Sequence, residues 1–214
     1  MVRKLGKRVR GLNQLKRIVY LISPPKIDKI FYKDLDKVLS FDNVKFFQLR
    51  LKKIKTDNLC KIANKIKRIT SKHKVKFLLN DNFVLANKIK ADGCHMGQQD
   101  GSHKVARKIL NRKILGVTCH NSQSLAKEAI KIKADYVAFG SFFKSKLKPN
   151  AKKANLNLLK WSKKNIKKPV VVIGGINNLN YKKLLNAGAK YIAISSFIWD
   201  NPQLKPERAI REFK

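Results

Sequence analysis

Short apolar segments alternate with amphipathic segments along most of this chain, and this alternation restricts the folds open to it. The apolar segments predict strands at 17–22, 45–51, 76–80, 93–96, 113–118, 135–140, 170–174 and 191–196. The amphipathic segments predict helices at about 33–40, 56–72, 82–90, 103–110, 122–132, 155–166 and 177–187, with a last one from 206. Eight strands alternating with eight helices at roughly 25-residue spacing predict a single-domain (β/α)8 TIM barrel. A doubly wound open sheet is the competing architecture.

The predicted barrel domain covers residues 17–214, and residues 1–16 form a basic N-terminal extension before it. No Pro-, Gly- or Ser-rich linker divides the chain, and its hydrophobic fraction of 43% suffices for one large core. No apolar run reaches membrane-spanning length. The three cysteines, Cys60, Cys94 and Cys119, form neither a metal pattern nor a disulfide framework, so we expect a reducing cytoplasm.

The formal net charge is +37, from 50 Lys+Arg against 13 Asp+Glu. Such an excess usually suggests nucleic acid as a partner. Here it is mostly lysine, spread through every predicted helix rather than gathered in one stripe, which indicates a general compositional bias. Nonspecific binding to polyanions at low salt is still expected from the field of the charges alone.

Residues 169–196 form one predicted βαβ unit. Its first strand ends at Gly174 and Gly175, and its second strand ends at Ser195 and Ser196. Without a Cβ, a glycine pair lets backbone N–H groups approach a ligand. In TIM barrels the loops after the seventh and eighth strands often bind phosphate. The unit therefore predicts half of a phosphate site, and the alternative is an ordinary βαβ unit with glycines for tight turns.

Polar side chains on the second predicted strand share one face: Gln48, Arg50 and Lys52 alternate with apolar residues. The apolar face suits the helices, so the polar face should point into the barrel. Burying two cations there would cost several kcal/mol or more per charge without an anion. The pattern thus favours a bound polyanion; the alternative is an edge strand with one solvated face.

Two acids follow neighbouring strands, Asp81 after the third and Asp100 after the fourth. Carboxylates that face a phosphate need a cation between them, and Mg²⁺ held by one or two carboxylates is the usual solution. The alternative is that both acids cap the following helices.

Two histidines lie in or next to predicted strands. His95, in the fourth strand, is expected to be a hydrogen-bonded core residue. His120 lies at the predicted functional end of the barrel, where it could either take part in proton chemistry or be an ordinary loop residue.

The loop after the sixth strand carries three lysines, Lys144, Lys146 and Lys148, around Ser145. It could close over phosphates or be a solvated loop.

With these segments placed, the chain resembles the thiamine phosphate synthase family, which includes the related thiazole tautomerases. The similarity runs over residues 18–199, in the stretches QLRLK (48–52), LLND (78–81), ADGCHMGQQD (91–100), GVTCH (116–120), DYVAFGSFFKSKLK (135–148), VIGGI (172–176) and IAISS (192–196).

The resemblance implies an enzyme that joins 4-amino-5-hydroxymethyl-2-methylpyrimidine diphosphate to a thiazole phosphate and releases pyrophosphate. It assigns pyrimidine diphosphate binding to Gln48, Arg50, Lys52, Asn80, Thr118 and Lys148, with Arg50, Lys52 and Lys148 as the catalytic cations. It assigns Mg²⁺ to Asp81 and Asp100, and the thiazole phosphate to Ser145, Gly175, Ser195 and Ser196. The family mechanism is dissociative, with diphosphate leaving before the thiazole nitrogen attacks.

The chain departs from the family pattern at a few positions. Leu51 stands where the family has glutamate, Thr118 replaces serine, and Leu147 removes one hydroxyl of the loop that should bind the thiazole phosphate. Two alternatives therefore stay open. One is a thiazole tautomerase-like isomerase that uses His120 as its acid and base, and the other is a nonenzymatic polyanion-binding protein.

Overall fold

The computed structural model describes residues 17–144 and 153–214 and shows eight parallel strands closed into a barrel in the order β1 to β8. The strands are β1 Val19–Ile22, β2 Val44–Leu49, β3 Lys76–Asn80, β4 Gly93–Met96, β5 Ile114–His120, β6 Tyr136–Gly140, β7 Val170–Ile173 and β8 Tyr191–Ile194. The last strand pairs with the first, Ile192 opposite Val19. This closure confirms the predicted TIM barrel and excludes the open sheet. The predicted N-terminal extension, 1–16, lies outside the described residues.

Helices follow the strands around the outside of the barrel. In the described ranges they are α1 Lys29–Leu39, α2 Thr56–Lys72, α3 Phe83–Lys88, α4 His103–Leu110, α5 Gln123–Lys131, α6 Leu156–Asn165, α7 Tyr181–Asn186, α8 Ser196–Trp199 and α9 Pro206–Ala209. A 3₁₀ turn, Ile210–Glu212, ends the fold. The short helix α8 was not predicted; it begins directly at the end of β8.

Helix α7 starts later than its periodicity predicts, because asparagines hold the preceding residues in a turn. The Asn177 side chain accepts hydrogen bonds from the backbone N–H groups of Leu179 and Asn180. The Asn180 side chain accepts one from the N–H of Asn177. Such side-chain bonds compete with helix formation, so 177–180 form a turn ahead of the helix.

Alternate residues of each strand divide the core into two layers, as the two-residue period of a strand requires. Outward-facing side chains such as Leu21, Phe47 and Val172 pack against the helices. Inward-facing side chains such as Tyr20 and Leu78 fill the barrel. Both layers bury large apolar side chains away from water. Full burial of one such side chain stabilises the fold by about 1.5–3 kcal/mol.

Toward the carboxyl ends of the strands the inward-facing residues become polar on one side of the barrel. These residues are Gln48 on β2, Asn80 on β3, His95 on β4 and Thr118 on β5. In TIM barrels this end carries the active site. Among the described residues, no helix has the length and apolar character needed to cross a membrane.

Candidate active site

Asp81 and Asp100 meet at the carboxyl ends of β3 and β4, where their side chains share a hydrogen bond. Asp81 has a positive φ of 67° and is held by its backbone N–H, which donates to the carbonyl of His95 at 2.8 Å. The Asp100 carboxylate accepts a hydrogen bond from the N–H of Gly97 at 2.6 Å. The helix caps are instead Asn82 and Ser102. The capping interpretation of the two acids is therefore wrong.

The two carboxyl groups of this pair have different proton affinities. The pKa of Asp81 is raised to about 6, mainly by burial and then by the hydrogen bond and charge of Asp100, while the charges of Lys52 and Arg50 act the other way. Burial also tends to raise the pKa of Asp100, but hydrogen bonds with Asp81 and the Gly97 N–H outweigh it and leave that pKa below its usual value. A neighbouring pair in which one acid tends to keep a proton is a site where a cation can take that proton's place.

The pair fits Mg²⁺ better than a metal held by protein alone. No cluster of three or more His, Cys, Asp or Glu side chains that could hold a metal occurs among the residues the structure describes. Mg²⁺ commonly binds through one or two carboxylates and completes its shell with water and substrate phosphate oxygens. The Asp81 and Asp100 carboxyl groups supply the hard oxygen donors that such a site needs.

Arg50 and Lys52 lie beyond the end of β2 rather than on it. The strand ends at Leu49, Arg50 is half-buried, and the Lys52 side chain is 61% exposed. The prediction that both cations are buried inside the barrel on this strand is therefore wrong, because strand pairing stops before them and their charges stay hydrated at the rim. The edge-strand alternative is also wrong, since β2 pairs on both sides. The Lys52 ammonium still lies 3.9 Å from the Asp81 carboxylate.

The segment that carries these cations is attached to the neighbouring strand end. The backbone N–H of Arg50 donates to the hydroxyl of Ser23, just after β1, at 2.9 Å. Beneath the cations, the Gln48 amide donates to the Asn80 side-chain oxygen at 2.5 Å, and Gln48 is only 2% exposed. The predicted residues Gln48, Arg50, Lys52, Asn80, Asp81 and Asp100 thus come together at one side of the barrel mouth.

On the opposite side, Gly174 and Gly175 both have positive φ angles, 106° and 59°. A Cβ on Gly174 would lie 1.9 Å from the Ser141 hydroxyl oxygen, and one on Gly175 would lie 2.3 Å from the carbonyl oxygen of Lys144. The space that the glycines leave is therefore filled by the loop after β6. They are required for the packing of that loop, whether or not a ligand also approaches them.

Ser195 and Ser196 stand where predicted, at the end of β8. The Ser195 hydroxyl donates to the carbonyl of Ser23 at 3.1 Å, and Ser196 is the first residue of α8. Two other residues predicted to bind substrate, Ser145 and Lys148, lie outside the described residues, as does Leu147.

His120, the candidate acid and base of the tautomerase-like alternative, is the exposed last residue of β5, with φ at 48°.

Sequence reasoning missed a set of hydroxyl groups inside the barrel. His95 contacts the Tyr136 hydroxyl through Nδ1 and the Thr118 hydroxyl through Nε2, each at 2.8 Å, and Tyr136 contacts the Tyr20 hydroxyl at 2.8 Å. Burial lowers the pKa of His95 to about 4, so the ring is neutral near pH 7. The expected hydrogen-bonded core histidine is confirmed. The available signal was Gly116, because a glycine inside a strand marks the close approach of another group.

The fold and this site define a TIM-barrel protein with a paired-carboxylate site at one side of the barrel mouth and a glycine–serine site at the other. The family model described as "Thiamine monophosphate synthase" matches residues 19–198. The chain therefore belongs to the thiamine monophosphate synthase family, as its motifs predict.

Curated relatives agree with this membership. The thiamine-phosphate synthase of Pelagibacter ubique is 55% identical over 200 residues, which are 93% of this chain and 97% of the relative. The thiamine-phosphate synthase of Erythrobacter litoralis is 41% identical over 199 residues, 91% of this chain and 93% of the relative. Among solved structures, thiamine phosphate pyrophosphorylase from Pyrococcus furiosus matches with a TM-score of 0.82 at 27% identity, covering 94% of this chain and 95% of that one.

Proposed function

We propose that this chain is a thiamine-phosphate synthase, a transferase that couples 4-amino-5-hydroxymethyl-2-methylpyrimidine diphosphate to a thiazole phosphate and releases pyrophosphate. Family membership supports the reaction. The observation that carries the proposal within the chain itself is the contact between the Asp81 and Asp100 carboxyl groups beside Lys52 and Arg50.

Asp81 and Asp100 would hold Mg²⁺ in this reaction. The ion, when bound, would neutralise charge on the diphosphate leaving group. The residues' own contribution is to offer two carboxylates that the backbone holds in place, Asp81 through its N–H and Asp100 through the Gly97 N–H. Such fixed groups need no reorganisation when charge develops on the substrate.

Arg50 and Lys52 would bind the diphosphate oxygens from the other side. Because they are at the rim and partly hydrated, they can reach a ligand without the large penalty of a buried, unpaired charge. The hydrogen bond from the Arg50 backbone N–H to the Ser23 hydroxyl fixes the position of the Arg50 backbone, from which this side chain extends. Lys148 would add a third cation by the family pattern.

In the dissociative mechanism the carbon–oxygen bond to diphosphate breaks first and leaves a pyrimidinylmethyl cation. The chain would promote this step by stabilising the departing diphosphate with cations and hydrogen bonds, which needs no protein nucleophile. The Gln48–Asn80 pair lies below the cations and would orient the pyrimidine ring through its amides. The thiazole nitrogen would then capture the cation.

The second substrate would bind at the glycine–serine side of the mouth. Its phosphate would meet backbone N–H groups near Gly175 and at the start of α8, where the first N–H groups of a helix have no partner within the helix. Ser145 and Ser196 would add hydroxyl groups. The Ser195 hydroxyl already donates to Ser23, so this residue would act mainly through its backbone.

A coupling assay with both substrates and Mg²⁺ tests the proposal. We expect thiamine phosphate and pyrophosphate in equal amounts, and no product after a chelator removes the metal. A purified, folded protein that makes no thiamine phosphate with Mg²⁺ present would refute the proposal.

The tautomerase-like alternative rests on His120, which lies exposed at the same end of the barrel. An isomerase of this kind has no use for a diphosphate site, so the paired acids argue against it. Incubating the protein with the thiazole phosphate isomer alone decides the matter. Isomerisation that is lost in His120→Ala would support the alternative, and isomerisation that is unchanged would remove it.

Polyanion binding at low salt and a cytoplasmic location stay predictions.

A further inference from the structure

A line of four hydrogen-bonding side chains crosses the barrel interior and ends at the predicted diphosphate site. It runs from Tyr20 on β1 through Tyr136 on β6 and His95 on β4 to Thr118 on β5, with each contact at 2.8 Å. Tyr20 and Tyr136 are only 1% and 2% exposed, whereas Thr118 is half-buried at the mouth. One end of this line is therefore sealed and the other is open.

The sealed end determines which way the hydrogen bonds point. Tyr136 is the only hydrogen-bond partner of the Tyr20 hydroxyl among the described residues. If Tyr20 accepted from Tyr136, its own O–H would be buried without an acceptor, which costs about 1–3 kcal/mol. Tyr20 must therefore donate to the Tyr136 oxygen.

The remaining directions follow from the number of hydrogens that each group carries. Tyr136 has one hydrogen, and with Tyr20 donating to its oxygen it donates to Nδ1 of His95. Both ring nitrogens of His95 face hydroxyl groups and no carboxylate, and a neutral ring that accepts at Nδ1 carries its hydrogen on Nε2. Nε2 then donates to the Thr118 oxygen, and the Thr118 hydrogen is left over.

We infer that Tyr20, Tyr136 and His95 are positioning residues that hold Thr118 as a dedicated hydrogen-bond donor to an anion at the barrel mouth. The identity of that anion, the diphosphate of the substrate or of the released pyrophosphate, rests on the proposed function. A serine or threonine hydroxyl normally both donates and accepts. Here one acceptor lone pair is already used from inside the barrel, and the hydrogen has no acceptor among the described residues, so the hydroxyl is available to donate to a ligand that accepts.

Gly116 makes this arrangement possible. A Cβ at this position would lie 1.9 Å from Cζ of Tyr136, so only glycine leaves room for the ring across β5. The planes of the His95 and Tyr136 rings lie within 12° of each other, with centroids 5.7 Å apart. The two rings are therefore nearly parallel where the Tyr136 hydroxyl meets Nδ1 of His95.

Nitrogen NMR of the unliganded protein with ¹⁵N-labelled histidine tests the direction of the bonds without reference to activity. We expect His95 to be a neutral ring with its hydrogen on Nε2, and the Tyr136→Phe variant to lose this preference because Nδ1 has no donor left. A ring with its hydrogen on Nδ1 in the unmodified protein would overturn the inference.

Calorimetric titration with pyrophosphate and Mg²⁺ tests the consequence for the ligand. We expect Thr118→Val and Tyr136→Phe each to weaken binding about 10-fold, within the range for a hydrogen bond to a charged group. The double variant should be little weaker than either single variant, because both remove the same donor. Tyr191→Phe is the matched control, since Tyr191 also packs in the inner layer, against Phe46, and should bind as the unmodified protein does.

Additive losses in the double variant, or an unchanged affinity in Tyr136→Phe, would contradict the inference. The two proposals fail separately. If the protein makes no thiamine phosphate but the NMR and calorimetric results hold, the proposed function is wrong and the donor assignment stands. If coupling proceeds while His95 carries its hydrogen on Nδ1, the opposite is true.

Discussion

At the ends of β2, β3 and β4 the groups that face the barrel mouth are charged side chains, whereas at the ends of β7 and β8 they are set mainly by the backbone. We name the first region the acidic side (Asp81, Asp100, Arg50 and Lys52) and the second the glycine side (Gly174, Gly175, Ser195 and Ser196). On the acidic side, side chains meet one another through hydrogen bonds and charge. On the glycine side, missing side chains admit the loop after β6, and a serine hydroxyl bonds a neighbouring carbonyl.

This difference predicts opposite sensitivities to mutation. The acidic side should be sensitive to the removal of a charged atom and tolerant of small changes in shape. The glycine side should be sensitive to the addition of one carbon atom and tolerant of the loss of a hydroxyl. The following predictions test this contrast, from the largest expected effect to the smallest.

Asp81→Asn should have the largest effect on catalysis. Asparagine keeps the shape and accepts a positive φ, but one of the two proposed metal ligands loses its charge. Loss of a residue that only supports a metal ligand costs 10–100-fold, so loss of the ligand itself should lower kcat/KM at least about 100-fold. Steady-state coupling assays over a range of Mg²⁺ concentrations measure this.

Asp42→Asn is the matched control, because it removes the same charge from an exposed acid paired with Arg17, before β2 at the opposite end of the barrel. It should keep nearly full activity. Equal activity of the two variants would show that the acidic side holds no metal.

Gly175→Ala should disturb the glycine side. The new Cβ would collide with the Lys144 carbonyl, and φ at 59° disfavours alanine. We expect a loss of about 2 kcal/mol in the free energy of unfolding, equal to roughly 4–8 °C in Tm, and a rise of about 10-fold in KM for the thiazole phosphate. Thermal denaturation and steady-state kinetics measure these.

Gly188→Ala supplies the comparison for this variant. Gly188 also has a positive φ, 120°, but lies at the amino end of the barrel, where a Cβ would be 3.4 Å from its nearest neighbour. It should lower Tm without changing KM. If both variants change KM alike, the effect comes from general destabilisation and not from the glycine side.

The unliganded protein should become less stable relative to Asp81→Asn as pH rises from about 4 to 6. The pKa of Asp81 is raised to about 6 on folding, above its unfolded value, so the acid stabilises the fold when protonated and that contribution is lost as the pH passes 6. Because the side chain is about a third exposed, we expect only about 1 kcal/mol. Urea denaturation of both proteins between pH 4 and pH 7.5 measures it, and parallel curves would show that Asp81 is not perturbed.

Ser195→Ala should have the smallest effect. Its hydroxyl donates to the Ser23 carbonyl and is not free to donate to a ligand. We therefore expect a change of no more than about 3-fold in KM for the thiazole phosphate, together with a stability loss of about 1 kcal/mol for the lost bond. An increase in KM comparable to that of Gly175→Ala would mean that the serine side chain binds the phosphate directly.

The barrel and its acidic side were predictable because they depend on local signals. The alternation of segments gave the strand number, and the acids after β3 and β4 are rare residues in a lysine-rich chain. The end of β2 was not predictable, since alternation continues through Arg50 and Lys52 although pairing stops at Leu49. The packing of the loop after β6 against Gly175 was not predictable either, because the atoms that fill the space of its missing side chain come from a distant part of the chain.

The Tyr20–Tyr136 contact shows the same limit more strongly. The two residues are 116 positions apart and look like ordinary apolar strand residues. Their hydroxyl groups meet only because the barrel closes and Gly116 leaves space. A glycine inside a strand indicates that some group approaches closely, but no local pattern identifies that group when the contact depends on closure of the whole sheet.

Crystals of the protein soaked with Mn²⁺, as a substitute for Mg²⁺, and pyrophosphate would test the central claim most directly. An anomalous difference map should show one metal peak within about 2.2 Å of a carboxylate oxygen of Asp81 or Asp100, with pyrophosphate oxygens completing its shell and Arg50 facing the diphosphate. A metal peak elsewhere, or pyrophosphate bound away from the ends of β3 and β4, would contradict the account.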